Sequence, residues 1–259
     1  MELINYSYLE NIKDKLKADW NSRTTGFGYV VFDGIFQPEA ASEILQNYPA
    51  IDQADWKSTT YINQKNKFVK NRFDDNAFLQ SVFDELNSER FLKFLETVTG
   101  MQHLLSDAKL FGGGLHQSIK GAFLDVHVDF NYHNETQWHR RMNVLVYMNK
   151  DWKEEYNGYL ELWDMNEKKR VAFVEPVFNR CVIFETNEVS FHGHPKPLNT
   201  PQGVSRKSLA TYYYTKERPA NEIAPAHSTI HVNTEGLKGS IKSLQTGFKA
   251  LLERINSKI

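Results

Sequence analysis

Apolar residues near the start of the chain recur at helical steps: Leu9, Ile12, Leu16 and Trp20 share one face of a predicted helix. Pro38 opens a second helical stretch carrying Ile44, Leu45 and Tyr48, because its fixed φ suits a first turn and its missing N–H is not needed there. Between the two, residues 29–36 read as a strand. Residues 75–86 and 88–98 predict two more helices. Phe78 and Val82 lie on one face of the first, and Phe91, Leu92, Leu95 and Val98 on the second, with Gly100 as a C-terminal stop. Up to about residue 105 the chain is expected to be mostly helical.

From residue 108 to 215 the period shortens to that of strands. The segments KLFGGGLHQSI, GAFLDVHVDF, RMNVLVYMN, GYLELWD, RVAFVEP, RCVIFET, SFHGH and RKSLATYYYT follow one another across polar or glycine turns. So many strands without intervening helices predict an antiparallel double-sheet jelly roll. Near the end, Leu237, Ile241, Leu244, Phe248, Leu251 and Ile255 return to helical steps. That helix is expected to pack on the outer face of a sheet, and a homodimer contact is its alternative.

Neither a repeat nor a linker-like tract divides the 259 residues. The expectation is a single domain over 1–259: helix-rich N-terminal support with the first strand at 1–107, a jelly-roll core at 108–219, and a C-terminal extension and helix at 220–259. The fold class is mainly β with flanking helices.

Composition narrows the function. With 31 Lys and Arg against 32 Asp and Glu the net charge is −1, so the broad basic field used by nucleic-acid and anionic-membrane binders is absent. Cys181 is the only cysteine, which rules out an intramolecular disulfide and a cysteine-based zinc cluster. No apolar run approaches the length of a bilayer-spanning helix. A cytoplasmic protein without nucleic-acid or membrane partners is expected.

His127 and Asp129 are two apart on a predicted strand, so both side chains leave the same face and can close on one metal ion. His192, in SFHGH, supplies a second imidazole from the same β-rich block. Two histidines and one carboxylate form the facial triad that leaves open positions on iron(II). His194 has the parity of His192 and stays open as the alternative ligand. Farther on, Arg206, Ser208 and Tyr212 share a strand face, as do Asn143 and Tyr147. An inward guanidinium needs a carboxylate, which a dicarboxylate cosubstrate would supply in a bidentate pair and a structural acid would also satisfy.

Over residues 110–219 these segments, in this order, resemble the Fe(II)/2-oxoglutarate-dependent dioxygenases, in particular the prolyl 4-hydroxylase-like branch. The likeness rests on DVHVDF, LVYMNKDW with NGYLELWD, RCVIFET with SFHGH, and SRKSLATYYYT. It implies a double-stranded β-helix with His127, Asp129 and His192 as catalytic iron ligands. Arg206 is implied to hold the distal carboxylate of 2-oxoglutarate, with Ser208 and Tyr147 as hydrogen-bonding partners. Counting back from His127 places Gln117 where oxygen-sensing relatives put a cosubstrate-contacting tyrosine. Where the family has Gly-Gly this chain has Asn157-Gly158, and Asn tolerates the same left-handed backbone. Pro195 to Val204 reads as an inserted loop.

The reading that follows is an Fe(II)- and 2-oxoglutarate-dependent dioxygenase that consumes O2 and hydroxylates an aliphatic C–H, releasing succinate and CO2. Asp129 favours hydroxylation over halogenation, since related halogenases carry a small residue there. The substrate is a prolyl or other amino-acid residue, a peptide or a small metabolite. The alternatives are a noncatalytic jelly-roll binding module, a zinc hydrolase on the same donors, and an interaction protein acting through the C-terminal helix.

Overall fold

The structure is a computed structural model and describes residues 2–22, 25–53 and 55–232. The expected C-terminal helix, and any dimer contact through it, lie outside the described residues. In chain order the elements are α1 (Tyr6–Asn21), β1 (Tyr29–Asp33), α2 (Pro38–Gln46), β2 (Lys57–Tyr61), β3 (Gln64–Lys70), α3 (Ala77–Leu86) and α4 (Glu89–Thr99). Then follow β4 (Leu105–Ser106), β5 (Gly114–Val128), β6 (His139–Tyr147), β7 (Leu160–Asp164), β8 (Lys169–Val174), β9 (Arg180–Glu185), β10 (Ser190–His194), β11 (Arg206–Thr215) and β12 (Ile230–His231).

Local chemistry sets the helix ends. Asn5, Asn76 and Ser88 accept backbone N–H groups at the starts of α1, α3 and α4, satisfying donors that have no partner within the helix. Gly100, at φ 74, ends α4 in the left-handed conformation. The four helices bury Leu9, Trp20, Ile44, Phe83, Phe91 and Leu95 against one face of the large sheet. That face supplies Met142, Val144 and Val146 from β6, Cys181 and Ile183 from β9, and Leu209 and Tyr213 from β11. The intervening residues point the other way, into the barrel, where Tyr147, Leu160, Leu162, Val182 and Phe184 form a second apolar cluster. β6 and β9 are thus covered on both faces, which is why they read as nearly unbroken apolar runs.

The chain is mainly β, arranged as a jelly roll whose strands run β1-β9-β6-β11-β5-β10-β7-β8. β5 belongs to both sheets: its first half pairs with β11 and its second half with β10. The segments 109–119 and 121–130, expected as two strands, are joined in this one 15-residue strand, with Gly121 at φ 77 inside it.

Two further expectations are corrected. Residues 57–70, taken as part of a mostly helical half, form the β2–β3 hairpin, and β3 extends the large sheet by pairing with β5. On α3 the fully buried stripe is Leu79, Val82, Phe83 and Leu86, with Phe78 only partly buried.

Candidate active site

β5 and β10 bring the histidines together. His192 is the register partner of His127, and their ring centroids are 4.3 Å apart. Asp129, just past the end of β5, lies between them: His127 Nε2 is 3.6 Å from Oδ1 and His192 Nε2 is 3.5 Å from Oδ2. One donor atom from each residue lies within 4.8 Å of the other two. His127 Nδ1 donates to Asp125 O at 2.9 Å, which fixes the tautomer and leaves the Nε2 lone pair facing the carboxylate. Two imidazoles and one carboxylate, converging from rigid strands, fit a divalent iron ion. Burial, helped by the proximity of His127, lowers His192 to about 3, so this ring is neutral and able to ligate.

The register that joins His192 to His127 separates His194 from them. A shift between positions 192 and 194 pairs His194 with Leu124 instead, and His194 lines a separate recess with Gly158, Glu161 and Arg170. At Gly193 the strands come so close that a Cβ would stand 2.8 Å from Leu124 O and 2.9 Å from Asp125 O.

Asp129 is held from behind by two residues of β6. Arg140 Nη2 approaches Oδ2 at 2.9 Å, and Asn143 Nδ2 donates to the same oxygen at 2.9 Å. Arg140 is locked in turn by Asn143 Oδ1 and by stacking over Tyr212, its guanidinium carbon 3.6 Å from the ring centroid. Burial opposes ionisation of Asp129, but Arg140 and the two histidines outweigh it and hold the carboxyl well below the usual range. The structure buries Arg140 behind the carboxylate.

The inward residues of β11 and β6 form the neighbouring group. Arg206 donates from Nε to Gly158 O at 2.7 Å and from Nη2 to Tyr147 Oη at 3.2 Å. Ser208 is the register partner of Tyr147 and is buried. Arg206 reaches this position because residue 158 has no side chain. A Cβ there would lie 2.4 Å from Leu198 and 3.1 Å from Arg206, and the backbone is at φ 74. Asn157 also adopts a positive φ, of 59.

Gln117 is not part of this cluster. It pairs with Lys207 and Phe68 on the opposite face of the sheet, donates to Ser205 Oγ at 2.7 Å, and lines an outer groove of 640 Å³ with Tyr48 and Lys207. The inward positions of β5 are His116, partner of Ser208, and Ser118, partner of Arg206. Counting from a motif was off by one, and one residue reverses the face of a strand.

Two site residues escaped sequence reasoning. Lys67 of β3 is the partner of Ser118. Burial brings its ammonium down to about 8, with Asp129 opposing and Arg206 and Arg140 adding to the shift. His231 of β12 pairs with His127, its ring centroid 5.1 Å away. Tyr61, at the end of β2, packs edge-on against His231 at 5.8 Å. No motif announces either residue, because Lys67 sits in a polar stretch and β12 is two residues long.

The sequence model of the 2OG-Fe(II) oxygenase superfamily matches residues 113–214. Prolyl 3-hydroxylase OGFOD1 of Mus musculus is 30% identical over 86 residues, which are 32% of this chain and 15% of the mouse protein. Among solved structures, a prolyl hydroxylase of Trichoplax adhaerens, in complex with a hypoxia inducible factor peptide, superposes with a TM-score of 0.57 at 16% identity, covering 82% of this chain and 92% of that one. A prolyl-4-hydroxylase of Pseudomonas putida gives 0.53 at 18% identity, covering 77% and 98%. Residues 113–214 thus match the 2OG-Fe(II) oxygenase superfamily model, within a chain that has the fold of these prolyl hydroxylase structures.

Proposed function

We propose that the protein is an Fe(II)- and 2-oxoglutarate-dependent dioxygenase that hydroxylates an aliphatic C–H bond of a prolyl or other amino-acid residue or of a small metabolite. The observation that carries this reading is the convergence of one donor atom each from His127, His192 and Asp129 within 4.8 Å, beside an Arg206 whose guanidinium is already anchored on Tyr147 and Gly158. A zinc hydrolase would leave that inward arginine without a role.

With iron and 2-oxoglutarate bound, one dioxygen is divided between two products: the cosubstrate becomes succinate and CO2, and the substrate C–H becomes C–OH. The protein's residues serve this by position. His127, Asp129 and His192 hold the metal, and Asp125 O, by accepting from His127 Nδ1, orients the ring with Nε2 toward Asp129. Arg140 and Asn143 fix the Asp129 carboxylate, so that one of its oxygens is kept for the ion. Arg206, with Tyr147 and Ser208, binds the distal carboxylate of 2-oxoglutarate, and a planar guanidinium suits that oxygen pair. Leu162, Val182 and Phe184 pack together inside the barrel, and the Phe184 ring lies 4.8 Å from that of His192. The setting proposed for this reaction is the cytoplasm, in keeping with the single buried thiol of Cys181.

The test is anaerobic titration of the metal-free protein with Fe(II) and 2-oxoglutarate, followed by the weak visible charge-transfer band of the ternary complex. A band that is present in the parent and lost in Arg206→Ala supports the reading. A protein that binds zinc but gives no band with Fe(II) and 2-oxoglutarate refutes it.

A further inference from the structure

Lys67, Ser118 and Arg206 lie on one rung across β3, β5 and β11, and residues directly opposite in adjacent strands leave the same face. Lys67 therefore points into the cavity that holds the His127–Asp129–His192 cluster. Its charge is felt by His116, His192, His194 and His231, and it in turn feels Asp129, Arg140 and Arg206. Yet among the described residues its Nζ has neither a hydrogen bond nor an ion pair. The side chain is half-buried, so it lines a space rather than filling one. A cation brought into a partly desolvated site without a counterion is costly unless a ligand supplies the charge.

The acids nearby are committed. Asp129 is taken by Arg140 and Asn143, and Asp125 accepts from Asn63 at 3.1 Å. Filling the site does not remove the excess. Two positive charges of iron(II) and two negative charges of 2-oxoglutarate cancel, and Asp129 balances only one of Lys67, Arg140 and Arg206. Arg140 Nη1 is also buried without a partner.

Position separates Lys67 from the cosubstrate carboxylate. Arg206 turns its Nε and Nη2 toward Gly158 and Tyr147, away from β3. Lys67 lies two strands away, roughly 10 Å in backbone spacing, on the side bordered by Tyr61 and His231, where Tyr61 is 39% exposed. On the function proposed above, this flank is the one left for the molecule to be oxidised.

We infer that Lys67 binds an anionic group of the substrate, a carboxylate or a phosphate, so that the protein selects acidic substrates over neutral ones of the same shape. The inference rests on the function proposed above and names the substrate class of that same site.

The test uses the full chain loaded anaerobically with Fe(II) and 2-oxoglutarate. It is titrated with aspartate, glutamate and phosphoserine blocked at both ends, each against its neutral counterpart, blocked asparagine, glutamine or serine. Binding is read from the shift in melting temperature and from the perturbed charge-transfer band. The parent should bind at least one acid about tenfold or more tightly than its neutral match, the scale of one charge-assisted hydrogen bond. Lys67→Met should lose that preference and Lys67→Arg keep it, with 2-oxoglutarate affinity unchanged in both. The phosphoserine arm distinguishes phosphate from carboxylate. A parent indifferent to charge, or a preference that survives in Lys67→Met, overturns the inference. So does a tenfold loss of 2-oxoglutarate affinity in Lys67→Met, which would assign the lysine to the cosubstrate. A parent that gives no band with Fe(II) and 2-oxoglutarate overturns the proposed function instead.

Discussion

His192 and His127 face each other across the β5–β10 ladder with their rings 4.3 Å apart, and the next residue, Gly193, is what lets the two strands lie so close. A Cβ at 193 would meet two carbonyl oxygens of β5 within 3 Å. Backbone atoms in a paired strand cannot swing aside as a flexible side chain can.

Gly193→Ala should therefore push β10 off β5 and spread the donor set. We expect a stability loss of about 1–3 kcal/mol by urea unfolding and Fe(II) affinity about tenfold or more weaker. Unchanged metal affinity in a folded variant would show that the close approach is irrelevant to the site.

Asp129→Ala should abolish metal binding and 2-oxoglutarate consumption. Arg140→Leu tests the support behind that carboxylate. In the metal-free protein it strands a buried negative charge, at a cost of about 3–5 kcal/mol. Added Fe(II) supplies the missing countercharge, so the deficit in chemical unfolding should shrink when metal is present. A deficit equal with and without metal would place the role of Arg140 elsewhere.

Cosubstrate affinity should fall in two steps of different size. Arg206→Ala removes a charged pair and should weaken 2-oxoglutarate by about a hundredfold, whereas Tyr147→Phe removes one neutral hydrogen bond and should cost about three- to tenfold. Titration of the charge-transfer band measures both, and equal losses would contradict the roles assigned to them.

Acid should destabilise the metal-free fold earlier than its carboxylates require. Burial, together with Lys67, holds His116 well below its ordinary 6.5, so the folded chain refuses a proton that the unfolded chain accepts. Stability is then lost as pH falls through the unfolded value, by up to ~1.4 kcal/mol per pH unit for each such histidine. His192, His194 and His231 act in the same direction. Urea unfolding between pH 7.5 and 5.5 should show this slope, and His116→Gln should reduce it.

Sequence alone determined what depends on neighbours along the chain. Helical steps marked α1 to α4, with Ser88 and Gly100 bounding α4, and strand parity put His127 with Asp129 and Arg206 with Ser208 on common faces, because both periods are properties of the local backbone. The order of the motifs then pointed to the jelly roll and its oxygenase resemblance. Tertiary structure decided everything that turns on register between distant strands. The shift after His192 sets that histidine beside His127 and pairs His194 with Leu124 instead. The β5–β11 ladder put His116 and Ser118 inside and Gln117 outside, since one step along a strand exchanges its faces. The β2–β3 hairpin has little apolar periodicity because β3 rests on the edge of β5, so only its pairing reveals that Lys67 shares a rung with Ser118 and Arg206. His231 joins the site through a two-residue bridge, too short to leave any pattern in the sequence.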